Sequence, residues 1–240
     1  GTPITVIKGY LEAILDNLDG LDEKWHKPMH QMQQHSLRME NIVRDLLMLS
    51  SLETKGLTKT QDVIDLKSLF SEIQSDTQQM FKDKMHTFEL VCPTSLCLVG
   101  KRSELYSAIS NLVVNAAKYT PASGHIKLSA DKGTNFFNIA VVDNGVGIEN
   151  HHIPRLTERF YRIDGSRSSD TGGTGLGLAI VKHILARHEA ELEIKSSYGE
   201  GSSFICRLPL SRAASNAIDD KQSQTSTDNE TQQVYSDSDI

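Results

Sequence analysis

Asn111-Leu112-Val113-Val114-Asn115-Ala116-Ala117-Lys118-Tyr119-Thr120 reads as one helix that carries a polar face inside an otherwise apolar run. Asn111 and Asn115 are four residues apart and Lys118 follows three later, so the spacing predicts that all three project from one side. Two carboxamide oxygens and an ammonium on one face suit a hydrated Mg2+ held against a polyphosphate. Taken alone, the stretch is equally well read as a polar, solvated outer face.

Two further stretches bear on that choice. Asp143-Asn144-Gly145-Val146-Gly147 follows directly on the apolar run from Ile139 to Val142. A carboxylate at a strand end, followed by glycines that let a ligand approach the backbone, can accept hydrogen bonds from an exocyclic amine. An ordinary Asp-Asn-Gly turn is the plain alternative. Gly172-Gly173-Thr174-Gly175-Leu176-Gly177 opens a helix, and a glycine-rich loop there offers free N–H groups and a positive dipole end to phosphate. No Lys-Ser or Lys-Thr follows it, so it is not a P-loop, and it lacks the spacing and preceding strand of a dinucleotide fingerprint.

Around these stretches the pattern mixes helices with paired strands. Leu66 to Met80, Ser103 to Lys118 and Gly175 to His188 have helical periodicity. His86 to Val91, Leu96 to Val99, His125 to Ala130 and Phe136 to Val142 read as strands. Leu192 to Ser196 and Ser203 to Leu208 read as a hairpin around Tyr198-Gly199-Glu200-Gly201. That grouping predicts an α+β fold, an α/β sandwich over residues 60–210, rather than a doubly wound parallel sheet. Residues 1–54 read as two helices. Pro3 suits a first helical turn and Thr2 an N-cap, and Asn17-Leu18-Asp19-Gly20 is turn chemistry. In the second helix Met32, His35, Met39, Ile42, Leu46 and Leu49 form a heptad seam with one polar member. Two such helices cannot bury both apolar faces alone, which predicts a dimeric four-helix bundle. Residues 211–240, rich in Ser, Thr, Gln and Asp, predict a disordered polar tail.

The whole chain of 240 residues carries a net charge of −6, of which the 211–240 tail contributes −4. That balance argues against nucleic acid as a partner and against binding to an anionic membrane through a basic surface. No apolar run approaches a membrane span and residue 1 opens no signal-peptide pattern, so a soluble chain is expected. Cys92, Cys97 and Cys206 lack metal-site spacing and fit packed or idle thiols of a reducing compartment.

In this order and at these separations, the three stretches resemble the ATP-binding (GHKL or Bergerat) domain shared by histidine kinases, type II topoisomerases, Hsp90-type chaperones and MutL-type repair proteins. Asn111 to Thr120 resembles its N box, Asp143 to Gly147 its G1 box and Gly172 to Gly177 its G2 box. Glu158-Arg159-Phe160-Tyr161-Arg162 is similar to the F box of histidine kinases. The resemblance implies ATP and Mg2+ as cofactors. Asp143 would take the adenine amine, Asn115 the metal and Lys118 phosphate, with Tyr119 on the adenine side. Gly145, Gly147, Gly173, Thr174, Gly175, Leu176 and Gly177 would line the nucleotide. Phe160 to Thr171 would be a mobile lid, whose Arg162 and Arg167 reach toward the γ-phosphate.

ATPases of this superfamily have a Glu one helical turn before the metal-binding Asn. Here that position is Asn111, and a carboxamide cannot take a proton from water, so a kinase is the better expectation. Thr2 to Glu12 resembles the segment just after the phosphoacceptor His in the dimerisation hairpin of sensor histidine kinases of two-component systems. That His would fall before residue 1, where this chain has no counterpart, so the chain as given is expected to bind ATP but scarcely label itself. The other histidines offer no substitute: His35 lies on the seam, and His183 and His188 read as structural or solvated. Gly9 to Glu12, Ser107 to Val113 and His152 to Arg162 resemble in particular the phosphate-regulon group of that family. The resemblance implies a homodimer, transfer to an Asp of a response-regulator receiver domain, and a membrane tether on the cytoplasmic side of the inner membrane through segments outside this chain. A Ser kinase of the anti-sigma-factor type, or a nucleotide-gated module that docks a regulator without transfer, are the rival readings.

Overall fold

The computed structural model describes residues 3–16, 23–54, 62–93, 96–163 and 173–215. Thr2, the turn at 17–20, Arg167 and Gly172 lie outside these residues, as does the tail beyond 215.

The N-terminal hairpin pairs α1 (Pro3–Leu15) with α2 (His26–Thr54). Lys8 of α1 bridges the helices to Glu40 of α2 at 3.7 Å, and Leu11 is buried between them. Pro28 sits in the first turn of α2, where a missing N–H costs nothing. Only the C-terminal end of the seam is covered: Leu49 is 1% exposed, whereas Met32, Met39 and Leu46 are 50%, 45% and 39% exposed. His35 also lies on the open side.

Beyond residue 61 the chain is a two-layer sandwich. A five-stranded sheet has the order β2 (Thr87–Val91), β4 (His125–Lys132), β5 (Phe136–Asp143), β7 (Gly201–Pro209), β6 (Glu191–Ser197). All neighbours are antiparallel except β2 and β4, which run parallel. Burial alternates along β4, β5 and β7, and Ile126, Leu128, Phe137, Ile139, Val141, Phe204 and Leu208 form the covered face. Three helices complete that core: α3 (Leu66–Met80), α4 (Arg102–Tyr119) and α5 (Gly177–Arg187). Asp65 caps α3 by accepting the Lys67 N–H at 3.1 Å. Cys206 is packed in the core, where burial pushes its thiol up to about 12, and all three cysteines are free.

A second, small sheet has the order β1 (Asp62–Asp65), β3 (Leu96–Gly100), β8 (Ala213–Ser215). It departs from the expectation that a disordered tail begins at residue 211. Ala213 to Ser215 pair antiparallel with Leu96 to Leu98. Arg212 is buried and donates to the Val99 carbonyl at 3.3 Å and to Glu189 at 3.0 Å. The ordering comes from partners distant in sequence, which a bland Ala-Ala-Ser run does not announce. β2 and β3, adjacent in sequence around Pro93, belong to different sheets. Among the described residues no helix is long and apolar enough to cross a membrane.

Candidate nucleotide site

The candidate site lies where the C-terminal part of α4, the end of β5 and the start of α5 meet. Asn111, Asn115 and Lys118 fall on α4, each half-buried. Asn111 donates from its amide nitrogen to the Ser107 carbonyl at 2.8 Å. Its oxygen faces the first residue of α5: a Cβ on Gly177 would lie 2.6 Å from it. Among the described residues the Asn115 carboxamide makes no hydrogen bond, which leaves its oxygen available to a ligand. Lys118 reaches the G2 stretch, for a Cβ on Gly173 would lie 2.5 Å from its ammonium nitrogen. Arg162 arrives from the other side and donates to the Gly173 carbonyl at 2.7 Å. Burial, then the charges of Arg162, Arg38 and Lys84, lower Lys118 to about 8. Cations gathered in a half-buried place are what a polyphosphate would relieve.

At the other end Asp143 closes β5 with 7% of its surface exposed. Its carboxylate accepts the Gly145 N–H at 2.9 Å. Burial raises its pKa, while the backbone N–H groups of Gly145 and Ser202 pull it down; burial wins. Gly145 lies against the Tyr119 carbonyl, 2.7 Å from where a Cβ would stand, and Val146 donates to that same carbonyl at 3.3 Å. Gly147 adopts φ +67°, and a side chain there would meet the Ser197 backbone oxygen at 1.9 Å. Its glycine is therefore required by packing of the loop on the β6–β7 hairpin. Tyr119 is half-exposed, with the Lys118 ammonium 5.0 Å from its ring centre. An open depression of about 480 Å³ is bordered by Asp143, Asn150, Ile153, Lys195 and Ser203, and no residue of α4 lines it.

The G2 residues divide by role. Gly175 takes φ +73° and packs on the Phe160 backbone, whose N–H it accepts at 2.9 Å. Leu176 is fully buried and packs with Leu49, Leu52, Ile180 and Ile184, so it is a core residue joining α5 to α2. The Thr174 hydroxyl accepts the Leu176 N–H at 3.2 Å and donates to Asp45 of α2 at 2.8 Å. Burial raises Asp45, against the opposing effects of that hydrogen bond and of Arg44.

Sequence reasoning missed this contribution of the hairpin. Besides Asp45, Glu53 of α2 pairs with Arg159 and lies 3.7 Å from His183. Arg187 of α5 joins the Leu52 carbonyl at 3.2 Å to Glu104 at 3.1 Å. Burial of Glu104 favours its neutral form, but Arg187 and Lys101 outweigh that and its pKa is lowered. His188 is buried as well: its Nδ1 meets the Ile184 carbonyl at 2.8 Å and its Nε2 accepts the Lys101 N–H at 3.3 Å, a structural histidine.

The α/β sandwich thus carries a buried carboxylate beside the glycines after β5 and cations beside the glycines before α5, and a helical hairpin is joined to it. Residues 1–55 match the family model of the His Kinase A (phospho-acceptor) domain. Residues 100–212 match that of the histidine kinase-, DNA gyrase B-, and HSP90-like ATPases. The chain belongs to the histidine kinase family. It is 45% identical over 213 residues to the phosphate regulon sensor protein PhoR of Pseudomonas aeruginosa, an alignment covering 89% of this chain and 48% of that protein. With the PhoR of Haemophilus influenzae the identity is 39%, over 87% of this chain and 48% of that protein. The chain thus spans about half the length of the curated relatives it matches. Among solved structures, full-length ShkA in complex with AMPPNP superimposes with a TM-score of 0.70 at 21% identity, covering 90% of this chain and 44% of ShkA. That likeness concerns the fold.

Proposed function

We propose that this chain is the ATP-binding and dimerising core of a phosphate-regulon-type sensor histidine kinase. The observation that carries the reading is that the end of α4 links the two groups: Tyr119 packs on the Gly145 loop that follows buried Asp143, and neighbouring Lys118 reaches Gly173, whose carbonyl Arg162 holds. A buried carboxylate suits an exocyclic amine, and the cations suit a triphosphate. Asp143 would fix the base, Tyr119 would pack beside it, and Lys118 with Arg162 would offset charge on the transferring phosphoryl group. Arg167 would add a further lid cation. Asn115, whose carboxamide makes no hydrogen bond among the described residues, would hold Mg2+, which supplies charge neutralisation to the phosphates. Such a metal would be bound mostly through phosphate and water.

Asn111 sits where a hydrolase would need a base, and its amide is tied to its own helix. Transfer to an imidazole is therefore favoured over attack by water. The acceptor would be the His that the family pattern places before residue 1. The open apolar side of α1 and α2 would form a four-helix bundle with a second copy and present the acceptor to a response-regulator receiver domain. The membrane tether, on the cytoplasmic side of the inner membrane, would belong to segments outside this chain.

The test is label transfer from γ-labelled Mg-ATP, with this chain compared against one extended upstream to restore His-Glu-x-x-Thr. Acid-labile, alkali-stable label on the extended chain alone is the expected result. Label on the short chain would mean that another residue accepts the phosphoryl group.

A further inference from the structure

Lys84 lies outside every motif discussed above, yet it holds the end of the helix that builds the site. It ends a 3-10 turn from Lys82 to Lys84 after α3, and the next residue, Met85, is left-handed at φ +49°. Its ammonium donates to the carbonyls of Ala117, Lys118 and Thr120 at 2.9, 2.7 and 2.9 Å. The last carbonyls of a helix have no partner within it, and a cation there is favoured by the helix dipole as well. An ammonium has three donors, and here two meet such carbonyls, of Ala117 and Lys118, and the third that of the C-cap Thr120. The remaining one, of Tyr119, accepts the Val146 N–H. The main chain around Lys84 joins the same edge: Ser123 donates to its carbonyl at 2.8 Å, and His86 Nε2 lies 3.1 Å from the Thr120 oxygen.

We propose that Lys84 is a positioning residue for the base end of the nucleotide site: by gathering the carbonyls on either side of Tyr119, it sets where the Tyr119 oxygen meets Gly145 and Val146, and thereby where the Asp143 loop stands. The proposal rests on the reading of the cleft as an ATP site. Lys84 acts through α4 and the G1 loop and touches neither base nor phosphate.

The consequence is selective. Removing the ammonium loosens the base end and takes no cation away from the Lys118–Arg162 pair, so ATP and ADP both lose affinity, ATP by no more than ADP. The experiment is titration of the full chain and of its Lys84→Met variant with Mg-ATP and Mg-ADP, alongside amide hydrogen exchange. Dissociation constants for both nucleotides are expected to rise roughly tenfold, the scale of removing a charge-assisted hydrogen bond that acts at one remove. The Val146 N–H, bonded to Tyr119, loses protection, while the Phe160 N–H, bonded to Gly175, keeps it. Lys84→Arg, which retains charge and donors, returns affinity to within about threefold of the parent. Should Lys84→Met not fold, Lys84→Gln, which drops the charge but keeps an amide donor, carries the same comparison. Unchanged affinity in a folded variant, selective loss of ATP over ADP, or equal loss of protection at both amides would overturn the proposal. Failure of the parent chain to bind either nucleotide would instead overturn the reading of the site itself.

Discussion

At the Asp143 end of the site, main-chain groups make most of the contacts. The Gly145 N–H meets the Asp143 carboxylate, the Val146 N–H meets the Tyr119 carbonyl, and Gly147 lies hard against the Ser197 main chain. At the Lys118 end the side chains of Lys118, Arg162 and Thr174 join the Gly175–Phe160 main-chain contact, and one of them is tied to Asp45 in the hairpin. The first end is fixed by the fold of the α/β domain alone. The second depends on where α2 stands, and α2 belongs to the hairpin. A change in the hairpin should therefore be felt by the phosphates before it is felt by the base.

Substitutions can break this contrast at several levels. The largest effect is expected for Gly147→Ala, where a left-handed backbone and overlap with the Ser197 oxygen act together; a loss of about 3 kcal/mol or more in chemical denaturation is expected. Gly173→Ala should spare the fold, because its Cβ would meet only the flexible end of Lys118. Equal destabilisation by both would erase the distinction between a main-chain end and a side-chain end.

Lys118→Met comes next. It should weaken Mg-ATP by about 30-fold and Mg-ADP by less, as expected for removal of a charge-assisted phosphate interaction. The sign for stability is opposite. Lys118 is lowered to about 8 because the folded protein disfavours its charge, so at pH 7 its charge is a cost to the unliganded fold, relieved only as pH rises from about 8 toward the ordinary lysine range. The variant without nucleotide should gain about 1 kcal/mol in denaturant, allowing for solvent screening of a half-buried group. A variant that loses both affinity and stability would contradict this electrostatic origin.

A smaller effect is a proton count. A phosphate beside Lys118 raises its pKa again, so nucleotide binding at pH 8 should take up roughly half a proton per site. Calorimetry in two buffers of different ionisation enthalpy measures this, and Lys118→Met should abolish it. Smallest is Thr174→Val, which removes the hydrogen bond to Asp45; about 1 kcal/mol of stability should go in chemical denaturation.

Much of the cleft was legible in the sequence because its elements are local. The i, i+4, i+7 spacing of Asn111, Asn115 and Lys118 is a helix face, Asp143 ends an apolar strand, and Gly173 to Gly177 precede a helix. The three long helices and the β6–β7 hairpin followed from periodicity for the same reason. What was missed depends on partners far along the chain. Ala213 to Ser215 become a strand because Leu96 to Leu98 are there to pair with. Lys84 meets carbonyls 33 to 36 residues away, and Asp45 meets Thr174 across 129. A single polar residue has no period, so neither spacing nor propensity marks it. The parallel pairing of β2 with β4 is a matter of topology, and alternation alone does not give a strand's direction.

The central claim is that one cleft holds the base at Asp143 and the phosphates at Lys118. Calorimetric titration of Mg-ATP into the parent chain and into Asp143→Asn tests it most directly. The substitution keeps size and shape but turns a charged acceptor toward the amine into a group that presents donors as well. A loss of about 100-fold, near 2.7 kcal/mol, is expected, the scale of a buried hydrogen bond to a charged group. In the parent, affinity should also fall as pH drops through the raised pKa of Asp143, because the acceptor is then protonated. An Asp143→Asn protein that binds Mg-ATP as tightly as the parent, across that pH range, would contradict the placement of the base at Asp143.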